Sequence, residues 1–170
     1  MTVLAVKNYN DRIEIATDSG AFNNYRKEEN QQKLYEVNNI VIAACGSRAI
    51  SNLFYLFCSF NSPEGNEQLD ILRFYNRFLK DLKDNYNNNI TNIENNYFIY
   101  YDKKLYELWY NFDIKEIKVD EFSALGAGMQ EAKTALYLGH SPKEAISITT
   151  KLNVLTAGEI QEKIIYKKEV

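Results

Sequence analysis

Along this chain the spacing of apolar residues switches from every second position to every third or fourth, and back again, twice over. "TVLAV" and "IEIAT" alternate and read as two strands joined by the polar turn "KNYNDR", a hairpin. A polar stretch from Phe22 to Gln32 follows, and then "KLYEV" and "IVIAACG", separated by the turn-forming pair Asn38-Asn39. The first quarter therefore reads as antiparallel sheet. In "SRAISNLFYLFCSF" the period changes, with Ile50, Leu53, Phe54 and Phe57 at the spacing of a buried helix face. After "NSPEG", the segment "NEQLDILRFYNRFLKDLKDNY" sets Leu69, Leu72, Tyr75, Leu79 and Leu82 mostly on one stripe, with Phe74 less well phased.

The Asn-rich link "NYNNNITNIENN" reads as loop and leads to a hairpin, "YFIYYD" and "LYELWY", turning at Asp102-Lys103-Lys104. "IKEIKVD" and "FSALGAG" are expected to extend the same sheet. "MQEAKTALYLGH" is a helix stopped at Gly139, and "SPKEAISITTKLNVLT" another, opened by Ser141 as N-cap with Pro142 in its first turn. "EIQEKIIYKK" closes as a strand. Strand groups alternating with helix pairs point to an α+β architecture, two antiparallel sheets sandwiched between helical layers, and away from an alternating parallel sheet.

At 170 residues with 45% hydrophobic content, the chain is expected to form a single domain over residues 1–170 that needs neither disulfides nor a structural metal. Cys45 and Cys58 lie inside apolar runs without a Cys or His companion at metal-ligand spacing, so they read as reduced core residues and a cytoplasmic setting is expected. Basic and acidic residues, 20 and 23, are interspersed, which offers no face for nucleic acid. No charged-then-apolar leader and no apolar run of about 18 residues argues for export or membrane spanning. His140 at a helix terminus, Trp109 and the many tyrosines read as capping, core and contact residues.

The order of elements and the residues at their ends together resemble the N-terminal-nucleophile hydrolases, specifically proteasome β subunits and their bacterial relative HslV. The likeness runs over nearly the whole chain. It is carried by "MTVLAV", by "IEIATDSG" ending its strand at Asp18, by Lys33 before "LYEV", by the "ACGSRA" turn, by "ALGAGMQEA" and by the late "TAGEI". The resemblance implies a four-layer αββα sandwich and assembly of identical subunits into a ring. It also implies that Met1 is removed to expose Thr2 as the first residue. Thr2, Lys33 and Asp18 would then be the catalytic residues and the Gly46 amide the oxyanion-hole donor. A threonine hydroxyl is a weak nucleophile near neutral pH and needs a base. The α-amine of the same residue, with an ordinary pKa of about 7.7 to 8.0, is already in place. A lysine ammonium nearby would lower that pKa, and an aspartate would hold the lysine. No cofactor or side-chain metal site is implied, and at most a Na⁺ held by backbone carbonyls in the late turn.

Three positions depart from the family pattern. The serine that the family places in its third-helix turn is Ala127, the late carboxylate falls at Asn153, and Ile50 stands where an aspartate is usual; Thr156 keeps the hydroxyl of the late turn. The resemblance therefore leaves two readings. One is a threonine-type peptidase subunit, partnered by its own copies and by an AAA+ unfoldase. The other is a catalytically silent ring subunit with a structural role, for example in a phage tail or neck beside portal and tail proteins in a virion. A hydrolase of small amides on the same fold is a weaker third.

Overall fold

A computed structural model describes residues 2–22, 27–28, 30–86 and 93–167. In chain order the strands and helices are β1 (Val3–Asn8), β2 (Arg12–Asp18), the short β3 (Ala21–Phe22) and β4 (Lys27–Glu28), β5 (Leu34–Val37), β6 (Ile40–Cys45), α1 (Arg48–Phe60), α2 (Gln68–Asn85), β7 (Asn96–Tyr101), β8 (Lys104–Leu108), β9 (Ile114–Glu116), β10 (Phe122–Gly126), α3 (Met129–Tyr137), α4 (Pro142–Leu152) and β11 (Ile160–Tyr166). They form one antiparallel sheet ordered β10-β1-β2-β11, another ordered β5-β6-β7-β8-β9, and a two-stranded ribbon β3-β4.

Three hydrophobic layers make the four-layer sandwich. Strands buried on both faces divide their side chains between two cores, because successive residues point to opposite sides. From β1, Leu4 and Val6 join Ile13, Ile15, Val41, Ala43, Phe98 and Leu105 between the sheets. Val3 and Ala5 turn the other way, onto Ala132, Ala135, Leu136, Ala145 and Ile146 of α3 and α4. In β6 the same alternation sends Val41, Ala43 and Cys45 between the sheets and Ile40, Ile42 and Ala44 toward α1 and α2. Alanines dominate the layer under α3 and α4, which lets those helices lie close to their sheet. The layer under α1 and α2 is aromatic: Phe54 makes tilted ring contacts with Phe78 and Tyr97, ring centroids 4.7 and 4.8 Å apart.

The structure redistributes several strands. The first-quarter strands belong to two sheets, β1 and β2 to one and β5 and β6 to the other. "FSALG" does not extend the second sheet. It pairs with β1, Leu4 opposite Leu125 and Ala5 opposite Ala124, a register that puts the large side chain between the sheets and the small one under the helices. In α2 the buried stripe is Ile71, Phe74, Tyr75, Phe78 and Leu82, so Phe74 is central, while Leu69 is 63% exposed and Leu72 and Leu79 flank the core. α4 ends at Leu152, short of the expected Thr156; its start is as expected, with Ser141 Oγ accepting from Glu144 N and Glu144 Oε2 accepting from Ser141 N. The turn pairs Asn38-Asn39 and Asp102-Lys103 all have positive φ, as two-residue hairpins require. Much of the Asn-rich link falls on residues 87–92, outside the described residues.

Burial of acidic hydroxyls and thiols sets a prediction. Desolvation pushes the Cys45 thiol up to about 11 and the Tyr75 phenol up to about 12, and it raises Cys58 and Tyr97 as well. These groups lose protons in the unfolded chain at lower pH than in the native one. Stability from this source is therefore complete below about pH 8.5 and falls as pH rises through the ordinary thiol and phenol range. Urea midpoints measured from pH 8 to 11 should drop steadily, and a flat profile would contradict the burial.

Candidate active site

Asp18 ends β2 and is fully buried, a position an isolated carboxylate would not hold. Its two oxygens are met by three donors. Oδ1 accepts from Val3 N at 2.9 Å and from Lys33 Nζ at 2.8 Å, and Oδ2 accepts from Ala157 N at 3.0 Å. One carboxylate thus ties together the first strand, the residue leading into β5, and the turn before β11. Lys33 also donates to the Gly20 carbonyl at 2.5 Å. Burial lowers the pKa of Lys33 from its usual value, and the charge and hydrogen bond of Asp18 act in the opposite direction.

Two further contacts fix Lys33. Its backbone N–H and that of Leu34 both donate to Gln161 Oε1, at 2.9 and 3.1 Å, while Gln161 Nε2 donates to Gln31 O at 2.7 Å. Gln161 lies on β11, so the last strand of one sheet sets where the other sheet begins. Nothing in "EIQEKIIY" marks this glutamine out from its polar neighbours.

Thr2 is 8% exposed and stands before β1, its carbonyl accepting from Ala127 N at 2.7 Å. This close approach explains Gly126: with φ +92, any Cβ there would fall 2.1 Å from Thr2 O. Thr2, Lys33 and Gly46 line one cavity of about 270 Å³, together with Gly20, Tyr35 and Arg48. The four residues singled out in the sequence therefore converge: three face the cavity, and Asp18 lies behind Lys33. Gly46 sits in the turn between β6 and α1. Ala44 N donates to Lys33 O on the β5 side. Antiparallel alternation then turns the Cys45 groups to Asn96 of β7, and the trans peptide points the Gly46 N–H back toward β5 and the cavity.

Two of the three positions that depart from the expected pattern, Ala127 and Asn153, also meet. Asn153 Nδ2 donates to the Ala127 carbonyl at 3.3 Å and to Glu131 Oε1 at 3.0 Å, and Asn153 Oδ1 accepts from Leu155 N. Thr156 Oγ1 donates to the carbonyls of Asn153 and Thr149. Asn153 and Ala127 are thus neighbours beside the Thr2 carbonyl, joined by a neutral amide. Ile50 is buried in the layer under α1 and α2. Among the described residues, no group of three or more His, Cys, Asp or Glu side chains is placed to hold a metal ion. No helix among them is long and apolar enough to cross a membrane.

No protein-family model matches the sequence, and no curated protein does. Solved structures do. The chain is similar to the Thiobacillus denitrificans protein BPH, solved in complex with epoxomicin, at 19% identity and TM-score 0.85, covering 99% of this chain and 100% of that one. It is also similar to the eukaryotic HslV of Trypanosoma brucei (15% identity, TM-score 0.72, 97% and 99% covered) and to Anbu, an ancestral β-subunit, of Yersinia bercovieri (11%, 0.74, 98% and 82%). At these identities the likeness is one of three-dimensional structure. The chain has the proteasome-like fold of the N-terminal-nucleophile hydrolases, shared with HslV and Anbu.

Proposed function

We propose that the protein is a threonine-type peptidase subunit of a self-assembling particle, with Thr2 as nucleophile once Met1 is removed. The observation that carries this reading is the buried Lys33–Asp18 pair set beside the cavity that Thr2 and Gly46 share. Burying a lysine and an aspartate together costs desolvation on both, so a pair at this depth needs a compensating return. Catalysis supplies one. The Thr2 hydroxyl oxygen attacks the carbonyl carbon of a peptide bond, and its proton passes to the Thr2 α-amine, kept in its free-base form by the Lys33 charge. The carbonyl oxygen gains the electron pair and takes a hydrogen bond from the Gly46 N–H. Collapse breaks the C–N bond, the ammonium proton leaves with the departing amine, and water then hydrolyses the Thr2 ester.

Self-assembly is supported by exposed apolar side chains, Phe60 at the end of α1 at 82%, Tyr137 at the end of α3 at 79% and Val154 in the turn after α4 at 87%, which contact with another subunit would cover. A P. aeruginosa Anbu was solved as a helical assembly, which fits the same expectation. One observation favours the silent structural subunit instead: Ala127 and Asn153 leave no hydroxyl or carboxylate of their own beside Thr2 to relay the amine's proton.

Intact mass and N-terminal sequencing of the native assembly, before and after treatment with a β-lactone, a peptide vinyl sulfone or epoxomicin, separate the two readings. The expected result is a chain beginning at Thr2 with one adduct on that residue. Full retention of Met1 sinks the peptidase and leaves the structural subunit, whose partners would be virion proteins in place of an unfoldase.

A further inference from the structure

We propose that Asn95 is the positioning residue of the oxyanion turn: its side-chain amide clamps Ser47 and thereby holds the Gly46 N–H aimed into the cavity. The inference rests on the peptidase reading for its catalytic meaning, but the clamp is defined by geometry of its own. Asn95 is 1% exposed, although it lies in the run "IENN" at the end of the Asn-rich link. Its amide is used fully. Oδ1 accepts from Ser47 N at 2.9 Å, and Nδ2 donates to Ser47 O at 2.9 Å and to Ser51 Oγ at 3.0 Å. Ser51 Oγ donates in turn to Ser47 O. Both backbone groups of one turn residue are therefore held by one rigid side chain 48 positions away in sequence.

Gly46 is built around this contact. Its φ is +122, a region essentially closed to other residues, and a Cβ there would lie 2.7 Å from Asn95 Oδ1 and 2.9 Å from Asn95 Cα. Asn95 thus packs directly against the glycine. Because Oδ1 already occupies the Ser47 N–H, the Gly46 N–H is the amide this turn can present to a developing oxyanion. The turn has no helix cap to hold it instead: no side chain caps α1 at Ser47. Without Asn95 the Gly46–Ser47 peptide would lose its hold, leaving Gly46 and its N–H fixed from the Cys45 side of the ladder alone, and an oxyanion donor is most effective when it is fixed from both sides before charge develops.

The test compares wild type with Asn95→Ala and with Asn95→Asp, which keeps the size and the acceptor for Ser47 N–H while losing both donor bonds. Each is assayed on a fluorogenic peptide, with competent sites counted by covalent labelling of Thr2, and Ser47 amide hydrogen exchange is followed in parallel. Asn95→Ala is expected to lower kcat per labelled site about 100-fold with KM changed less than about 3-fold, and to speed Ser47 exchange. Asn95→Asp is expected to fall between, and it carries the test if Asn95→Ala does not fold. Wild-type kcat per labelled site in a folded variant overturns the proposal. So does a loss of labelled sites with kcat per site unchanged, the mark of a purely structural role. If wild type freed of Met1 neither hydrolyses peptide nor labels, the peptidase reading fails separately, and the exchange decides the clamp: faster exchange in a folded variant supports it, unchanged exchange overturns it.

Discussion

Thr2→Ala, prepared with Met1 removed, is expected to hydrolyse peptide substrates at least about 10³-fold more slowly than wild type while assembling and melting like it. The asymmetry follows from how the residue is held. Its structural contact is made by the backbone carbonyl, which accepts from Ala127 N whatever the side chain. Its hydroxyl is therefore expendable for folding and indispensable for attack. Thr2→Ser, which keeps the hydroxyl, should retain turnover, and a form that keeps Met1 should have none, because the base is then an amide. The pH profile adds a second readout. Activity should rise with pH as the amine loses its proton, with a midpoint below the ordinary amine range of about 7.7 to 8.0, because the Lys33 ammonium disfavours a second positive charge nearby. Equal hydrolysis by Thr2→Ala and wild type would remove Thr2 from the chemistry.

The second large effect concerns Asp18 and Lys33. Asp18→Ala strips the partner from a buried lysine and leaves Val3 N and Ala157 N without their acceptor, so a loss of about 3–5 kcal/mol in urea denaturation is expected. Lys33→Met should cost less stability, since two backbone N–H groups still hold the carboxylate, yet it should abolish hydrolysis. The double variant Asp18→Asn/Lys33→Met should lose less stability than the sum of its parts, because each single change leaves a charge that the other removes. It should regain no activity. This split between stability and activity distinguishes a catalytic pair from a structural one: if Lys33→Met turned over at the wild-type rate, the pair would be a joint in the sandwich and nothing more.

Hairpins such as β1-β2 and β7-β8 and helices such as α1 were legible because their apolar period and their turn residues lie within a few positions of each other. Thr2, Asp18, Lys33 and Gly46 were singled out through the family resemblance, each at an element's end, and the structure brings them together around one cavity. Asn95 and Gln161 were not singled out. Asn95 sits among other asparagines and Gln161 in a polar-rich strand, and each acquires its role from a partner far away in the chain, Ser47 in one case and Lys33 in the other.

The sequence by itself determined the succession of the longer strands and helices, though not the short β3-β4 ribbon, and the residue types at their ends, because local periodicity and turn chemistry act over about ten residues or fewer. Only the tertiary structure decided which strands share a sheet. "FSALG" alternates equally well on either one, and the choice of β1 as its partner rests on Leu125 filling the layer between the sheets while Ala124 admits the helices. The same packing brings Asp18, Lys33, Thr2 and Gly46 around one cavity, since burial of apolar faces, which has no memory of sequence distance, sets which chain ends meet.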